Sequence, residues 1–221
     1  MSRGVVIFSG GLDSTTLLYD WVRSGAFDAV FALSVDYGQR HAREILCAEK
    51  IARELGVVHE VADLRGIKKL FGKNALTHEA CAVPNADYAP DNMKTTVVPN
   101  RNMIFLALAG AWAASLGAGK IGYAAHSGDH NVYPDCRPQF AEAMDEALGL
   151  CDYSALVLER PYVNLTKADI VRRGAELGVP FEITWSCYEG GDIHCGHCAT
   201  CRERKQAFRD AGVSDPTEYL N

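Results

Sequence analysis

The early part of the chain alternates strand-like and helix-like segments, and this pattern constrains the fold more than any other feature. Residues 4–8 are apolar throughout, as in a strand buried on both faces of a parallel sheet, and 30–35 and 57–61 are predicted to be the next two strands. Helices are predicted between them over 14–23 and 43–55. Because parallel strands joined by helices need right-handed crossovers, the sequence predicts an α/β fold with a doubly wound, mainly parallel sheet.

The later part of the chain continues with helices and one more strand before its composition changes. We predict a helix over 102–116, a strand over 120–124, a helix over 138–150, and a helix from the Thr166/Asp169 capping box to about residue 178. Between 73 and 98 the periodicity fades and prolines recur, which is typical of a long binding loop or lid. From residue 186 the chain is rich in cysteine, and a basic helix is predicted over 201–211.

Composition limits the class of protein. The chain has 221 residues, 48% hydrophobic and 23% charged, which is ordinary globular usage. Its formal net charge of −6 disfavours a nucleic-acid partner. The longest apolar segment, 103–118, is shorter than the roughly 20 residues of a membrane span, and no secretory leader is visible, so no membrane partner and a cytoplasmic location are expected. In a reducing compartment, the eight cysteines favour metal or catalytic roles over disulfides.

A glycine-containing loop, Ser9-Gly10-Gly11-Leu12-Asp13-Ser14, lies between the first predicted strand and helix. Glycines allow the backbone to approach a phosphate closely, and amides at a helix N-terminus favour an anion. The two serines add hydroxyl donors, and the aspartate is suited to a magnesium ion or to closing the turn. A simple Gly-Gly turn is the alternative, and the loop is not a Walker A motif. By itself the loop indicates a phosphate site.

Four cysteines near the end of the chain have the spacing of a metal site. They are Cys187, Cys195, Cys198 and Cys201. Two Cys-x-x-Cys steps match a closed tetrahedral zinc site, and a four-cysteine iron–sulfur cluster is the alternative metal centre. Unpaired buried cysteines or a redox pair do not explain four in so short a segment. Since the protein fills all four positions, we expect one structural Zn²⁺ per chain.

Three polar clusters follow predicted strands or precede a helix at the sheet edge that carries the glycine loop. They lie at 36–41, 98–102 and 126–137. Ligands of open α/β sheets bind outside the carboxyl ends of the strands, so together the clusters predict a substrate pocket. Taken singly, each residue is equally well explained as a cap, a surface charge or a core histidine. The candidate substrate residues are Asp36, Tyr37, Gln39, Arg40, Arg101, Asn102, His126, Asp129, Tyr133, Asp135 and Arg137.

These strings carry a resemblance to a known family. The SGGLDS loop resembles the PP-loop of the adenine-nucleotide alpha-hydrolase superfamily, which has a HUP, Rossmann-like fold. The DYGQRH string at 36–41, PNRN at 99–102, YPDCR at 133–137, TWSC at 184–187 and the cysteine cluster are similar, more narrowly, to the 7-cyano-7-deazaguanine synthase (QueC) family. The resemblance covers nearly the whole chain.

The resemblance implies a reaction and its participants. Members of the family convert 7-carboxy-7-deazaguanine and ammonia to the nitrile preQ0 in queuosine biosynthesis, consuming ATP through an adenylated acid and an amide, with Mg²⁺ expected. It implies an ATP-binding and substrate domain over 1–185 and a zinc-binding segment over 186–221 packed on it. The implied catalytic residues are Asp13, Lys167, Arg101 and Asp129. The implied ATP-binding residues are Phe8, Ser9, Gly10, Gly11, Leu12, Asp13, Ser14, Thr15, Thr16, Leu17 and Leu18.

Several alternatives stay open on the sequence alone. A tRNA-thiolation enzyme shares the PP-loop, although an acidic chain of this length leaves little room for tRNA. A nucleic-acid-binding zinc module would leave the PP-loop unexplained. An amidating ligase that stops at the amide is a third alternative. The proton of the ammonium ion needs an acceptor, for which Asp129 and His126 are candidates. The apolar helices are compatible with a homodimer.

Overall fold

The fold is built around a parallel sheet. The computed structural model describes residues 2–78, 80–85 and 87–220. The strands in these residues are β1 (Arg3–Ile7), β2 (Ala29–Asp36), β3 (Val58–Asp63), β4 (Lys120–Gly122) and β5 (Val157–Glu159). They form one sheet in the order β3-β2-β1-β4-β5, and every pairing is parallel. The predicted doubly wound α/β fold is confirmed.

The helices connect the strands and cover both faces of the sheet. They are α1 (Leu12–Arg23), α2 (Arg43–Leu55), α3 (Pro90–Met93), α4 (Arg101–Leu116), α5 (Pro138–Gly149), α6 (Lys167–Glu176) and α7 (Ala199–Ala211). The capping box predicted before α6 is present, since the Thr166 hydroxyl accepts the Asp169 N–H and the Asp169 carboxylate accepts the Thr166 N–H. No helix in the described residues is both long enough and apolar enough to cross a bilayer.

The structure contains elements that the sequence did not predict, the 3₁₀ segment Arg65–Phe71 among them. Strand β5 was not predicted, because a three-residue strand is too short to show a period and only Leu158 of its side chains is buried. The predicted loop over 73–98 contains α3 and a 3₁₀ turn at Lys94–Thr96. Two positions of that loop, Glu79 and Ala86, lie outside the described residues.

Two hydrophobic clusters hold the helices against the sheet. One packs α1, α2, α6 and α7 on one face, and the other packs α4 and α5 on the opposite face. Helix α7 contributes Ala207 and Phe208 to the first cluster, with the Phe208 ring edge-on to Phe181 at 5.1 Å. The buried guanidinium of Arg204 ties the same helix to the preceding turn by donating to the Thr184 hydroxyl and the Phe181 carbonyl. The cysteine-rich segment therefore shares the main core.

The strand order positions the site. From β1 the chain crosses to β2 on one side, whereas β4 pairs on the other side, so the topological switch point lies between β1 and β4. The crossover helices diverge there and leave a crevice at the carboxyl ends of the strands. The loop from Phe8 to Leu12 opens into this crevice.

Candidate functional site

The loop after β1 is held in shape by its own serines. The Ser9 N–H donates to the Ser14 hydroxyl at 3.2 Å, the two hydroxyls lie 3.1 Å apart, and the Gly11 N–H donates to Ser9 Oγ at 3.2 Å. Helix α1 begins at Leu12, and no side chain caps its first turn. Its N-terminal amides therefore face the crevice in the arrangement that suits a phosphate.

Gly10 fixes the distance between this loop and α2. Its φ is +75°, and a Cβ added there would lie 2.4 Å from the Glu44 carbonyl oxygen and 2.7 Å from the Ala48 nitrogen. Both neighbours are backbone atoms of α2, which cannot move aside without disturbing the helix. The Gly10 carbonyl also accepts the Trp185 N–H at 2.9 Å. The loop thus lies between α2 and the segment that precedes the cysteines.

Replacing Gly10 with alanine should therefore destabilise the protein more than its backbone angle alone requires. Positive φ costs alanine about 1–2 kcal/mol, and the overlap with α2 adds about 1–3 kcal/mol. Gly25→Ala is the matched control, because Gly25 has φ +68° and an added Cβ there would have nothing within 4 Å. Urea unfolding of both variants measures the difference, and equal losses for the two would show that the packing on α2 is unimportant.

A buried cation lies against the loop. Lys167, the first residue of α6, places Nζ 3.2 Å from Asp13 Oδ2 and 2.9 Å from Glu203 Oε2. Burial opposes the charged form, but the carboxylates of Asp13 and Glu203 outweigh it and raise the pKa of Lys167. Burial likewise raises the pKa of Asp13, but Lys167 and His126 outweigh it and hold that pKa below its usual range. The ammonium and the Asp13 carboxylate are thus both charged.

His126 lies behind this cluster. The ring is 1% exposed, and its Nδ1 accepts the Gly128 N–H, which leaves the proton on Nε2. That Nε2 lies 3.4 Å from Asp129 Oδ2 and 3.8 Å from Asp13 Oδ2. The other oxygen of Asp129 accepts the Tyr88 hydroxyl at 2.8 Å. His126 therefore orients two carboxylates, and it does not itself line the cavity.

Arg101 contributes a second buried cation to the site. It is the first residue of α4, and its guanidinium lies 5.9 Å from the Tyr133 ring centroid. Burial opposes its charge, but Tyr37, Tyr188 and Tyr133 outweigh this and raise its pKa. Burial raises the pKa of Tyr37 to about 12, although Arg101 opposes the rise. A cation set among neutral phenols suits an incoming carboxylate.

One cavity of about 230 Å³ joins the loop, the lysine cluster and Arg101. Among the predicted ATP-binding residues it is lined by Phe8, Ser9, Gly11, Leu12, Asp13 and Ser14. Among the candidate substrate residues it is lined by Tyr37, Arg101, Asn102, Asp129 and Tyr133. The catalytic candidates Asp13, Lys167, Arg101 and Asp129 all line it as well. The structure therefore brings these predicted residues together.

Other predicted residues lie outside the cavity lining and have structural contacts. Asp135 accepts the Asn102 N–H at the start of α4, and Arg137 Nε donates to the His130 carbonyl. The Asp36 carboxylate accepts the Gly38 N–H, while Arg40 donates to the carbonyls of His78 and Cys81. Gln39 is buried against Val35 and Glu44. Five of the predicted ATP-binding residues also do not line the cavity: Gly10, Thr15, Thr16, Leu17 and Leu18.

Sequence reasoning missed several lining residues. His41 and Trp185 lie in the strings at 36–41 and 184–187 but were not among the candidate residues, and no role was predicted for Glu44, Tyr88, Tyr188 and Glu203. Glu44 and Glu203 resemble ordinary surface charges on amphipathic helices, so nothing in their local sequence marks them. Tyr88 lies in the long loop, where the only available signal was the length of the loop itself.

The four cysteine sulfurs form a compact buried cluster. The Sγ atoms of Cys187, Cys195, Cys198 and Cys201 all lie within 4.8 Å of one another. The Cys195–Cys201 sulfur separation is 3.9 Å, close to the ~3.8 Å edge of a tetrahedron with ~2.3 Å zinc–sulfur bonds. The Cys198 N–H points at the Cys195 sulfur at 3.2 Å. Hydrogen bonds from Cys187 and Cys201 lower the pKa of Cys198. The geometry and donor set fit a four-coordinate metal ion.

The fold and the loop define the class of protein. Solved structures with the same architecture include NMN synthetase from Francisella tularensis, at TM-score 0.52 and 15% identity, covering 96% of this chain and 77% of that one. Another is the U34-tRNA thiolase NcsA from Methanococcus maripaludis with its [4Fe-4S] cluster, at TM-score 0.53 and 10% identity, covering 95% and 67%. The chain thus shares the α/β fold of these two proteins.

Within that class, the chain belongs to the family described as "Queuosine biosynthesis protein QueC", which matches residues 3–212. It is 49% identical over 217 residues to the 7-cyano-7-deazaguanine synthase of Methanoregula boonei, covering 98% of this chain and 99% of the relative. It is 52% identical over 217 residues to that of Caldicellulosiruptor bescii, covering 98% and 97%. The resemblance to this family seen in the sequence is confirmed.

Proposed function

We propose that this protein is a C–N bond-forming ligase that converts 7-carboxy-7-deazaguanine and ammonia to 7-cyano-7-deazaguanine at the expense of ATP. The observation that carries the proposal is that the Ser9–Ser14 loop (the phosphate-type loop), Lys167 and Arg101 line one cavity. Family membership supplies the identity of the heterocycle. A carboxylate has a poor leaving group, so activation by adenylation precedes attack by ammonia.

In this proposal, the loop and the lysine bind the part of ATP that leaves. The α1 amides and the hydroxyls of Ser9 and Ser14 would bind the β- and γ-phosphates. Lys167 would stabilise the charge that develops as pyrophosphate departs. Asp13 fits a Mg²⁺ ligand, because its Oδ1 is buried with no hydrogen-bond partner in the described residues. When bound, the ion would bridge polyphosphate charge.

The heterocycle would lie toward Arg101. The guanidinium can bind the substrate carboxylate in a bidentate geometry and so place one oxygen for attack on the α-phosphate. Asp129, held by Tyr88 and His126, is suited to accept the N–H groups of a guanine-like edge. The same position of the heterocycle serves both activations. The first gives the amide, and the amide oxygen must then be adenylated before it leaves with AMP.

We assign the cysteine cluster one structural Zn²⁺ per chain. Cys198 is the N-cap residue of α7 and Cys201 lies in its first turn, so a bound ion would fix the start of the helix that carries Glu203. Trp185, Ser186 and Tyr188, next to the first cysteine, line the cavity. We therefore propose residues 1–185 as the ATP and substrate domain and 186–221 as a metal-binding segment packed on it, in a cytoplasmic enzyme that acts without nucleic acid. A homodimer is compatible with this assignment.

The proposed function is tested by an activity assay in which the products are identified by mass spectrometry. Purified protein is incubated with ATP, Mg²⁺, ammonium and 7-carboxy-7-deazaguanine, and we expect a nitrile product with AMP and pyrophosphate. Accumulation of the amide alone would indicate an amidating ligase. Formation of neither product by a folded, metal-containing protein would refute the proposal.

A further inference from the structure

Four carboxyl groups line the cavity, and three of them are already engaged. Asp13 and Glu203 share the ammonium group of Lys167. Asp129 accepts the Tyr88 hydroxyl with one oxygen and lies beside an imidazole with the other. The remaining free oxygen of Asp13 is assigned above to Mg²⁺, and Asp129 is assigned to the heterocycle, so these three carboxyl groups already have other roles.

The fourth carboxyl belongs to Glu44, in the first turn of α2. Its Oε1 accepts the Gln39 side-chain N–H at 3.0 Å, and its Oε2 lies 3.5 Å from His41 Nε2. In the described part of the chain, no lysine or arginine forms an ion pair with it. Burial, with two nearby arginines, lowers the pKa of His41 to about 3, so that ring is neutral. The Glu44 backbone lies against Gly10 of the phosphate-type loop, and Glu44 lines the same cavity as that loop.

The surroundings of Glu44 suit proton exchange near neutrality. Burial raises its pKa to about 7, although the hydrogen bond from Gln39 and the charge of Arg101 oppose the rise and Asp36 adds to it. Tyr37, which faces the same space, has a pKa raised to about 12 and stays neutral. A general base works best when its pKa lies near the working pH.

We propose that Glu44 binds the ammonium ion in the cavity and takes its proton, so that free ammonia is generated next to the activated carboxyl. This inference rests on the proposed function. It assigns the proton acceptor to α2, whereas the sequence had suggested Asp129 or His126. Gln39 orients the carboxyl, and Arg101 lies near enough to bring the activated carbon to the same side of the cavity.

The step balances. One N–H proton passes from ammonium to the Glu44 carboxylate, and the freed lone pair forms the C–N bond to the adenylated carbon. The C–O bond to the phosphate then breaks, and its electron pair leaves with AMP. The nitrogen loses a second proton to solvent, giving the neutral amide. In the second round the amide nitrogen loses its remaining two protons as the C–O bond breaks, and Glu44 accepts one of them after returning its first proton to solvent.

The experiment separates activation from nitrogen transfer. Exchange of labelled pyrophosphate into ATP, dependent on the carboxy-deazaguanine, measures adenylation without ammonia. Amide and nitrile formation with ammonium measures the second step, and hydroxylamine, which is uncharged at neutral pH, supplies a nucleophile that needs no deprotonation. In Glu44→Gln we expect exchange to persist, the ammonium-dependent rate to fall about 100-fold, and the rate with hydroxylamine to fall less than about tenfold.

The pH profile gives a second readout. With ammonium, the wild-type rate should rise through about pH 7 as Glu44 ionises, and in Glu44→Gln the rise should move to the alkaline range where free ammonia accumulates. Glu49→Gln, an exposed position on the same helix, is the matched control and should behave as wild type. Glu44→Asp keeps the acid and should exceed the glutamine variant at least about tenfold with ammonium.

The outcomes are distinguishable. Absence of exchange in the wild type would refute the proposed function itself. Normal exchange, with equal loss for ammonium and hydroxylamine in Glu44→Gln, would overturn the role of Glu44 alone. Equal ammonium-dependent rates in the aspartate and glutamine variants, or an unshifted pH profile, would overturn it as well.

Discussion

Replacing Lys167 with methionine should lower the rate of substrate-dependent pyrophosphate exchange by about 10³-fold, which corresponds to about 4 kcal/mol of transition-state stabilisation. Lys167 is the only lysine lining the cavity in the described residues, and both of its carboxylate partners, Asp13 of the phosphate-type loop and Glu203 of α7, line the same cavity. Methionine keeps the length and apolar stem of the side chain but removes the charge. The loss should appear in kcat more than in the KM for ATP, since the charge on pyrophosphate develops in the transition state.

The matched control is Lys120→Met, which removes a lysine charge at the amino-terminal end of β4, away from the site. Lys120 pairs with Glu159 on the surface, and its loss should leave exchange within about twofold of wild type. Because Lys167→Met leaves Asp13 and Glu203 without their cation, thermal unfolding should be measured alongside. A folded Lys167→Met protein that exchanges within tenfold of wild type would contradict the assigned role.

The sequence predicted those parts of the structure that depend on local pattern. The strand predicted at 4–8 is present as β1 (Arg3–Ile7), whose central residues are buried because both faces of the sheet are covered, and the capping box at Thr166 starts α6 as expected. The cysteine spacing brings four sulfurs together because Gly196, at φ +77°, allows the chain to turn between Cys195 and Cys198. Each of these features is formed by residues close together in the sequence, so each can be recognised from the sequence before the tertiary structure is known.

The site was only partly predictable, because its members come from distant segments. Asp135 belongs to a recognisable string, yet its carboxylate caps α4 by accepting the Asn102 N–H, and it does not line the cavity. Glu203, by contrast, lies in a basic helix and looks like a surface charge until α7 packs against α6 beside Lys167. Whether a charged residue faces a cavity depends on the packing of its helix, which a single sequence does not reveal.

Replacing Cys198 with serine should remove the metal ion and destabilise the whole protein. Structural zinc contributes about 10–16 kcal/mol to folding in small peptides, and loss of even a third of this would lower the melting temperature by roughly 10 °C or more. The effect should reach the main core, because Ala207 and Phe208 of α7 belong to the same hydrophobic cluster as α1 and α6. Metal content by mass spectrometry and thermal unfolding measure both consequences.

The control for that variant is Cys151→Ser, which makes the same chemical change at an exposed thiol outside the cluster. It should retain one metal ion per chain and the wild-type melting temperature. Cys198→Ser should also lose pyrophosphate exchange, because the ion fixes the first turn of α7 and, through Glu203, the position of Lys167. If the variant loses its metal but keeps its stability and its exchange activity, the cluster does not organise the site. If it keeps the metal, three sulfurs suffice and the closed four-cysteine assignment is wrong.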